Sequence, residues 1–255
     1  SNDATTQVAA LPVQAIFPLS QHIGAPAKPV VAKGDKVKVG TMIAEAGGFV
    51  SAPIYSSVSG TVLKIDTAVD ATGYRKPAII INVDGDEWEE SIDRSNKLET
   101  VEEHPELTPE EIVNRIKVAG VTGMGGAGFP TKVKLSPKEP DKIEYIIANC
   151  AECEPYITAD YRRMLEYTED LVSGMKVILS LFPNARGVFA VEDNKKDCIE
   201  KLQKAVAGEP RIDVKALMTK YPQGAERQLI YAVTKRAINS TMLPADAGCI
   251  VDNVE

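Results

Sequence analysis

Between residues 8 and 83 apolar and polar positions alternate in short runs. The segment VVAKGDKVKVGTMIAEAG at 30–47 alternates around Gly34-Asp35 and Gly40, and FVSAPIYSSVSGTVLKI at 49–65 alternates again, interrupted by Pro53 and Gly60. Period-two alternation punctuated by Gly, Pro and Ser predicts a small all-β module with no helix of useful length. The following residues are acidic and weakly patterned. Then Thr108-Pro-Glu-Glu111 opens a helix: Thr108 suits the cap, Pro109 the first turn, and Glu111 completes a capping box. Ile112, Val113, Ile116 and Val118 follow on one face, and Gly120 ends the helix. Beyond it strands and helices take turns. Strands are predicted over 142–149, 185–192 and 212–219, and helices over 160–182, 195–206 and 225–236. Repeated strand–helix units imply a mostly parallel sheet covered by helices, with ligands at the loops after the strands' carboxyl ends. The expected division is therefore a β module over 7–84, an acidic linker over 85–107 and an α/β domain over 108–255.

Composition narrows the class. The 255 residues carry a net charge of -7, which argues against a general nucleic-acid binder. Acidity concentrates in 84–91 and 98–106, which reads as a solvated linker face, with Trp88 covering a domain edge. No apolar run approaches the roughly 20 residues that span a bilayer. The chain opens with Ser1-Asn2 and not with Met, which predicts a cloning remnant. Of four cysteines, Cys150 and Cys153 form a C-x-x-C, but no second pair or histidine cluster completes a metal site, and free thiols are expected.

The run GVTGMGGAGFPT at 120–131 holds five glycines in its first nine residues. Gly123, Gly125 and Gly128 match G-x-G-x-x-G, yet a Rossmann site requires a strand before the glycines and a helix after them. Here a helix precedes, and no helical start is expected after Phe129-Pro130. A tight turn would explain some of the glycines. Five exceed what a turn needs, since each costs conformational entropy, and their benefit is close approach of backbone amides to a flat or phosphorylated ligand.

Two resemblances follow. KGDKVKVG at 33–40 and the returning AP and SG-V segments are similar to the biotinyl/lipoyl family, a barrel-sandwich hybrid. Its carrier function needs a lysine at a hairpin tip, and EAGGFVSAP at 45–53 contains none, so the module is expected to serve as a scaffold. GMGGAGFPTKVKL at 123–135, NCAECEP at 149–155, YPQGAERQLI at 221–230 and CIVDNVE at 249–255 occur in this order in one family. With PLSQHIGAPA at 18–27 they make the chain resemble the C subunit of the Rnf electron-transport complex, related to the flavin-bearing 51-kDa subunit of respiratory complex I.

That resemblance implies FMN and NAD(H) as cofactors. It further implies electron exchange with ferredoxin coupled to ion translocation, other Rnf subunits as partners, and a peripheral place on the cytoplasmic side of a bacterial inner membrane. It places 4Fe-4S clusters in a C-terminal domain of the full-length protein only, and a chain ending at Glu255 inside a motif is expected to be a fragment. By the same resemblance Gly123, Gly125, Gly126, Ala127 and Gly128 form a flat floor for FMN and nicotinamide. Phe129 flanks the adenine or is a core aromatic. Lys134 stabilises charge on reduced flavin or binds phosphate, or is a solvated side chain. Asn149 ends a strand at the ligand edge, where its amide can donate to and accept from the cofactor; Glu152 contacts flavin and Glu154 binds ribose hydroxyls, or the two glutamates are solvated. Tyr221, Gly224 and Glu226 form a second nucleotide loop, and Asp252 and Asn253 contact FMN. Asp160 is expected to cap the helix that follows it. Against the complex I pattern, an acidic residue is lost at Ala151, paired glutamates become Ala225-Glu226, and an arginine is Met124. The changes are either usual for the Rnf branch or weaken FMN binding. A non-catalytic scaffold of the same architecture is the alternative.

Overall fold

The computed structural model describes residues 4–70 and 72–255. They group into two compact units, Gln7–Lys97 with Val113–Val133, and Leu98–Ile112 with Lys134–Glu255.

In the first unit the alternating segments become β1 (Gln14–Pro18), β2 (Lys28–Pro29), β3 (Lys36–Val37), β4 (Met42–Glu45), β5 (Ile54–Tyr55), β6 (Ser59–Val69) and β7 (Arg75–Gly85). They form two sheets, ordered β1-β7-β6-β3 and β2-β4-β5, whose pairings are antiparallel. Alternation puts one set of side chains inside: Phe17, Val37, Ile43, Ile54, Val62, Ile79 and Ile81 share one core. The acidic run after β7 is stitched to this module. Val39 and Trp88 form a parallel bridge, Lys38 pairs with Glu87 at 2.6 Å, and the Arg94 guanidinium stacks 4.6 Å from the Trp88 ring.

Helix α1 (Pro109–Val118) begins as its sequence predicts, with Thr108 Oγ1 accepting from the Glu111 amide at 3.2 Å. Gly120 ends it with φ +69°, a left-handed backbone that favours glycine. After the glycine loop comes α2 (Thr131–Lys134), a single helical turn where none was expected. The Pro130 carbonyl accepts the Val133 amide at 3.0 Å as the turn begins. The element before the loop is still a helix, so the Rossmann order is not restored.

The second unit contains β8 (Tyr145–Cys150), α3 (Ala159–Glu166), α4 (Thr168–Leu181), β9 (Arg186–Glu192), α5 (Lys196–Ala205), β10 (Ile212–Leu217), α6 (Glu226–Thr234) and β11 (Cys249–Asn253). The helix expected over 160–182 is two. It breaks at Tyr167 (φ −129°, ψ 38°), and Thr168 Oγ1 turns back to the Met164 carbonyl at 2.6 Å while Thr-Glu-Asp starts a new first turn. The sheet is parallel throughout in the order β10-β9-β8-β11. Ile147, Val188, Ala190, Leu217 and Val251 pack with Leu229, Ile230 and Val233 of α6 on one face. Gly187 points to the other face, where an added Cβ would sit 2.6 Å from Met175 Sδ of α4. The chain runs from β8 outward through β9 to β10, then returns to place β11 on β8's opposite side. The carboxyl ends of β8 and β11 therefore flank the switch point, the crevice that open α/β sheets use for ligands.

Candidate functional site

The residues singled out in the second unit collect at that sheet edge. Asn149 lies next to the last residue of β8, Asp252 and Asn253 end β11, Glu152 and Glu154 follow β8, and Tyr221 and Gly224 lie between β10 and α6, which Glu226 opens. A cleft of about 250 Å³ opens beside it, between the loops after β8, β9 and β10, lined by Glu152, Cys153, Glu154, Glu192, Lys220 and Tyr221 among others. Tyr221 is 84% exposed and Glu154 is exposed, so both are accessible from solvent.

Two loops of this edge are tied together. Asn149 Nδ2 donates to the Gly224 carbonyl at 2.9 Å, and its Oδ1 accepts the Ala151 amide at 3.2 Å. The Gly224 amide donates to Cys153 Sγ at 3.1 Å. Gly224 has to be glycine, because a Cβ would lie 2.6 Å from the Ala151 carbonyl oxygen. Glu152 is also engaged: Oε1 accepts the Asp160 amide at 3.1 Å and Oε2 lies 3.5 Å from Lys195 Nζ. Its side chain is 3% exposed, and that of Lys195 is 14% exposed.

Asp160 departs from expectation. It is the second residue of α3, with Thr158 in the cap position, and Glu152 serves its amide. Its own carboxylate accepts from Asn253 Nδ2 at 3.4 Å, while Asn253 Oδ1 accepts the Glu255 amide at 3.0 Å. Burial, then the nearby Glu152 and Glu255 charges, pushes the Asp160 carboxyl up to about 6. Lys134 Nζ donates to the Val251 carbonyl at 2.5 Å and lies 3.5 Å from Asp252 Oδ1. Asp252 Oδ2 is buried without a hydrogen-bond partner, and burial raises this carboxyl above the usual range. Burial likewise raises Cys150 well above the ordinary thiol range, and Cys198 to about 12. These are inert core thiols.

In the first unit residues 121–131 form a closed loop. Thr122 and Pro130 bridge antiparallel, the Gly123 amide donates to the Phe129 carbonyl at 2.9 Å, and the Gly128 amide to that of Gly125 at 3.3 Å. Gly126 and Gly128 are left-handed, with φ +60° and +59°. Among the described residues the amides of Met124, Gly125, Gly126 and Ala127 donate to no acceptor in the chain, and all four residues are exposed. Phe129 is partly buried.

Sequence reasoning gave no site role to Cys153, Lys195 or His22, because the contacts with Gly224, Glu152 and Ala52 that engage them join segments far apart in the chain. Cys153 and His22 lay inside quoted motifs; Lys195 carried no local signal.

The matching family models are the RnfC barrel-sandwich hybrid domain over residues 1–86 and the Nuo51 FMN-binding domain over 116–255. The C subunit of the proton-translocating ferredoxin:NAD(+) oxidoreductase complex of Clostridium ljungdahlii is 45% identical over 97% of this chain and 53% of its own length. The Na(+)-translocating counterpart of Acetobacterium woodii is 43% identical over 95% and 54%. The C subunit of the ion-translocating oxidoreductase complex of Pseudomonas aeruginosa is 39% identical over 97% and 31%. The chain thus spans about half the length of the first two relatives and less of the third. Among solved structures, an NAD+-reducing NiFe-hydrogenase in the H2-reduced state aligns with a TM-score of 0.52 at 24% identity, over 63% of this chain and 31% of that one. This likeness concerns the fold. No helix among the described residues is long and apolar enough to cross a membrane. With both of its modules matched in order, the chain belongs to the family of Rnf-complex C subunits, a barrel-sandwich hybrid followed by a 51-kDa-type FMN-binding domain.

Proposed function

We propose that this chain is the flavin-bearing, NADH-oxidising module of an ion-translocating ferredoxin:NAD oxidoreductase complex. The observation that carries the reading is the run of four open, exposed amides from Met124 to Ala127 on a loop shaped by left-handed glycines. Amides so presented fit the phosphate or ring carbonyls of FMN, which need donors and close backbone approach. The switch-point edge of the second unit has polar groups of the kind a nucleotide cofactor uses. Asp252 Oδ2 is a buried acceptor awaiting a donor, and Lys134 lies beside it as a cation. When bound, FMN supplies the exchange of a hydride with NAD(H) and the passage of single electrons.

The chain's own residues bind and orient. Gly123, Gly125, Gly126, Ala127 and Gly128 offer a floor free of side-chain bulk, with Phe129 at its rim. Asn149 and Gly224 hold the loops after β8 and β10 in register, and Glu152 with Lys195 does the same for those after β8 and β9. Glu154, Tyr221 and Glu226 are the polar and aromatic groups left for a dinucleotide's hydroxyls and bases, and Asn253 presents an amide. Lys134 supplies positive charge where a reduced, anionic ring would need it. Electron transfer through 4Fe-4S clusters, delivery to ferredoxin, ion translocation and a peripheral seat on the cytoplasmic face belong to the proposal through the family. The β module over 7–84 acts as scaffold in this reading, ahead of the acidic segment 85–107 and the domain over 108–255.

The internal engagement of Asn149 and Glu152 favours the second reading, a flavin-free scaffold. Titrating FMN into this chain, with flavin fluorescence and NADH-dependent ferricyanide reduction as readouts, separates the two. Quenching of the flavin and ferricyanide reduction are expected. A chain that neither quenches FMN nor oxidises NADH in its presence overturns the proposal.

A further inference from the structure

The glycine loop rests on the β module. Gly120 lies where a Cβ would come 2.7 Å from the Pro53 carbonyl oxygen, and the Tyr55 hydroxyl donates to the Val118 carbonyl at the end of α1. At the loop's far side the Ile23 amide donates to the Ala127 carbonyl at 2.9 Å. A Cβ on Gly128 would sit 2.9 Å from the Gln21 carbonyl oxygen and 3.4 Å from His22 Cα. The segment beneath the loop is thus Gln21–Ile23, and its shape depends on one buried side chain.

His22 is 8% exposed, and both ring nitrogens are engaged. The Ala52 amide donates to Nε2 at 3.2 Å, so that nitrogen is bare and the proton sits on Nδ1, which lies 3.1 Å from the Ile23 carbonyl oxygen. A chain of hydrogen bonds results. The Ala52 amide donates to His22, His22 donates to the Ile23 carbonyl, and the Ile23 amide donates to Ala127. The neutral ring joins the 50–53 return of the module to the segment under the glycines, and a low local dielectric strengthens each link. Ser51, fully buried, makes the neighbouring tie by donating to the Ala25 carbonyl at 2.8 Å.

We propose that His22 is a positioning residue for the glycine loop, holding Gln21–Ile23 in the shape that aims the open amides of Met124–Ala127 at a phosphate- or carbonyl-bearing ligand. The β module is then a working part of the cofactor site and more than a scaffold. For FMN as that ligand, the inference rests on the function proposed above.

The test compares the wild-type chain with His22→Leu, which keeps bulk and loses both hydrogen bonds, and His22→Gln, which can still accept and donate. Deuterium uptake over residues 121–131, measured without ligand, is expected to rise in His22→Leu and to return towards wild type in His22→Gln. FMN dissociation constants from fluorescence quenching should weaken by about tenfold in the first and recover in the second, the scale of one lost hydrogen bond. If His22→Leu does not fold, His22→Asn, polar but too short to span both partners, carries the same comparison. Unchanged uptake over 121–131 in a folded Leu or Asn variant overturns the inference. Changed uptake with a wild type that binds no FMN sinks the flavin reading and leaves the positioning role standing.

Discussion

Gly126 and Gly128 share a left-handed backbone, φ +60° and +59°, but differ in what surrounds them. Nothing lies within 4 Å of a Cβ built on Gly126, whereas one on Gly128 meets the Gln21 carbonyl oxygen at 2.9 Å. Gly126→Ala is therefore expected to destabilise by about 1 kcal/mol, the backbone cost alone. Gly128→Ala should cost about 2 kcal/mol or more, since the loop must also lift off the module. Urea unfolding of the two variants checks the difference, and equal losses would mean that the contact with Gln21 is immaterial. The density of glycines was legible in the sequence, and so was the exclusion of a Rossmann turn. What each glycine does was not, because left-handed φ and close approach look alike in a string of letters. The same holds for Asp160: a carboxylate at a helix start reads as a cap, and only the approach of Asn253 from β11 shows it elsewhere engaged.

At the scale of elements, the loops after β8 and β9 are joined through one ion pair. Glu152, 3% exposed, takes the α3 amide of Asp160 with one oxygen and faces Lys195, which stands at the N-cap of α5, with the other. Lys195→Met would leave that carboxylate buried and unpaired, at a cost of about 3 kcal/mol. Adding Glu152→Gln should recover most of the loss, because the neutral amide still accepts from Asp160. A double-mutant cycle by chemical denaturation reads this directly, and independent, additive losses would show that the pair is not coupled. Periodicity made the amphipathic helices and alternating strands legible, with α1 opening at Thr108 as expected. It missed β11, a five-residue strand whose partner β8 lies about a hundred residues earlier. It also ran α3 and α4 together, since the break at Tyr167 involves neither glycine nor proline.

For the whole molecule, the acid cluster at the switch point links stability to pH. Asp160 has its carboxyl raised from 3.8 to about 6 in the folded chain, so the native state binds the proton more tightly than the unfolded one. Its contribution is favourable below about pH 4 and is lost as pH rises through 6. Glu152, Glu154 and Glu255 add to the repulsion there. Asp160→Asn, which keeps an acceptor for Asn253, is expected to stabilise the chain by about 2 kcal/mol at pH 7 once solvent screening is allowed for, with the gain vanishing by about pH 4. Unfolding free energies across that range test it, and a gain independent of pH would assign the effect to something other than this titration. The sequence by itself determined the order and type of the modules, the absence of a carrier lysine at the hairpin tip, and the four motifs that mark the family, because these are local patterns of spacing and residue type. Only the tertiary structure decided that the glycine loop is seated on the β module through Ile23 and His22, that Asn149 and Glu152 spend their polar atoms inside the protein, and that β11 completes the switch point. Those outcomes depend on hydrogen bonds and burial between segments far apart in the chain, where no periodicity connects the partners.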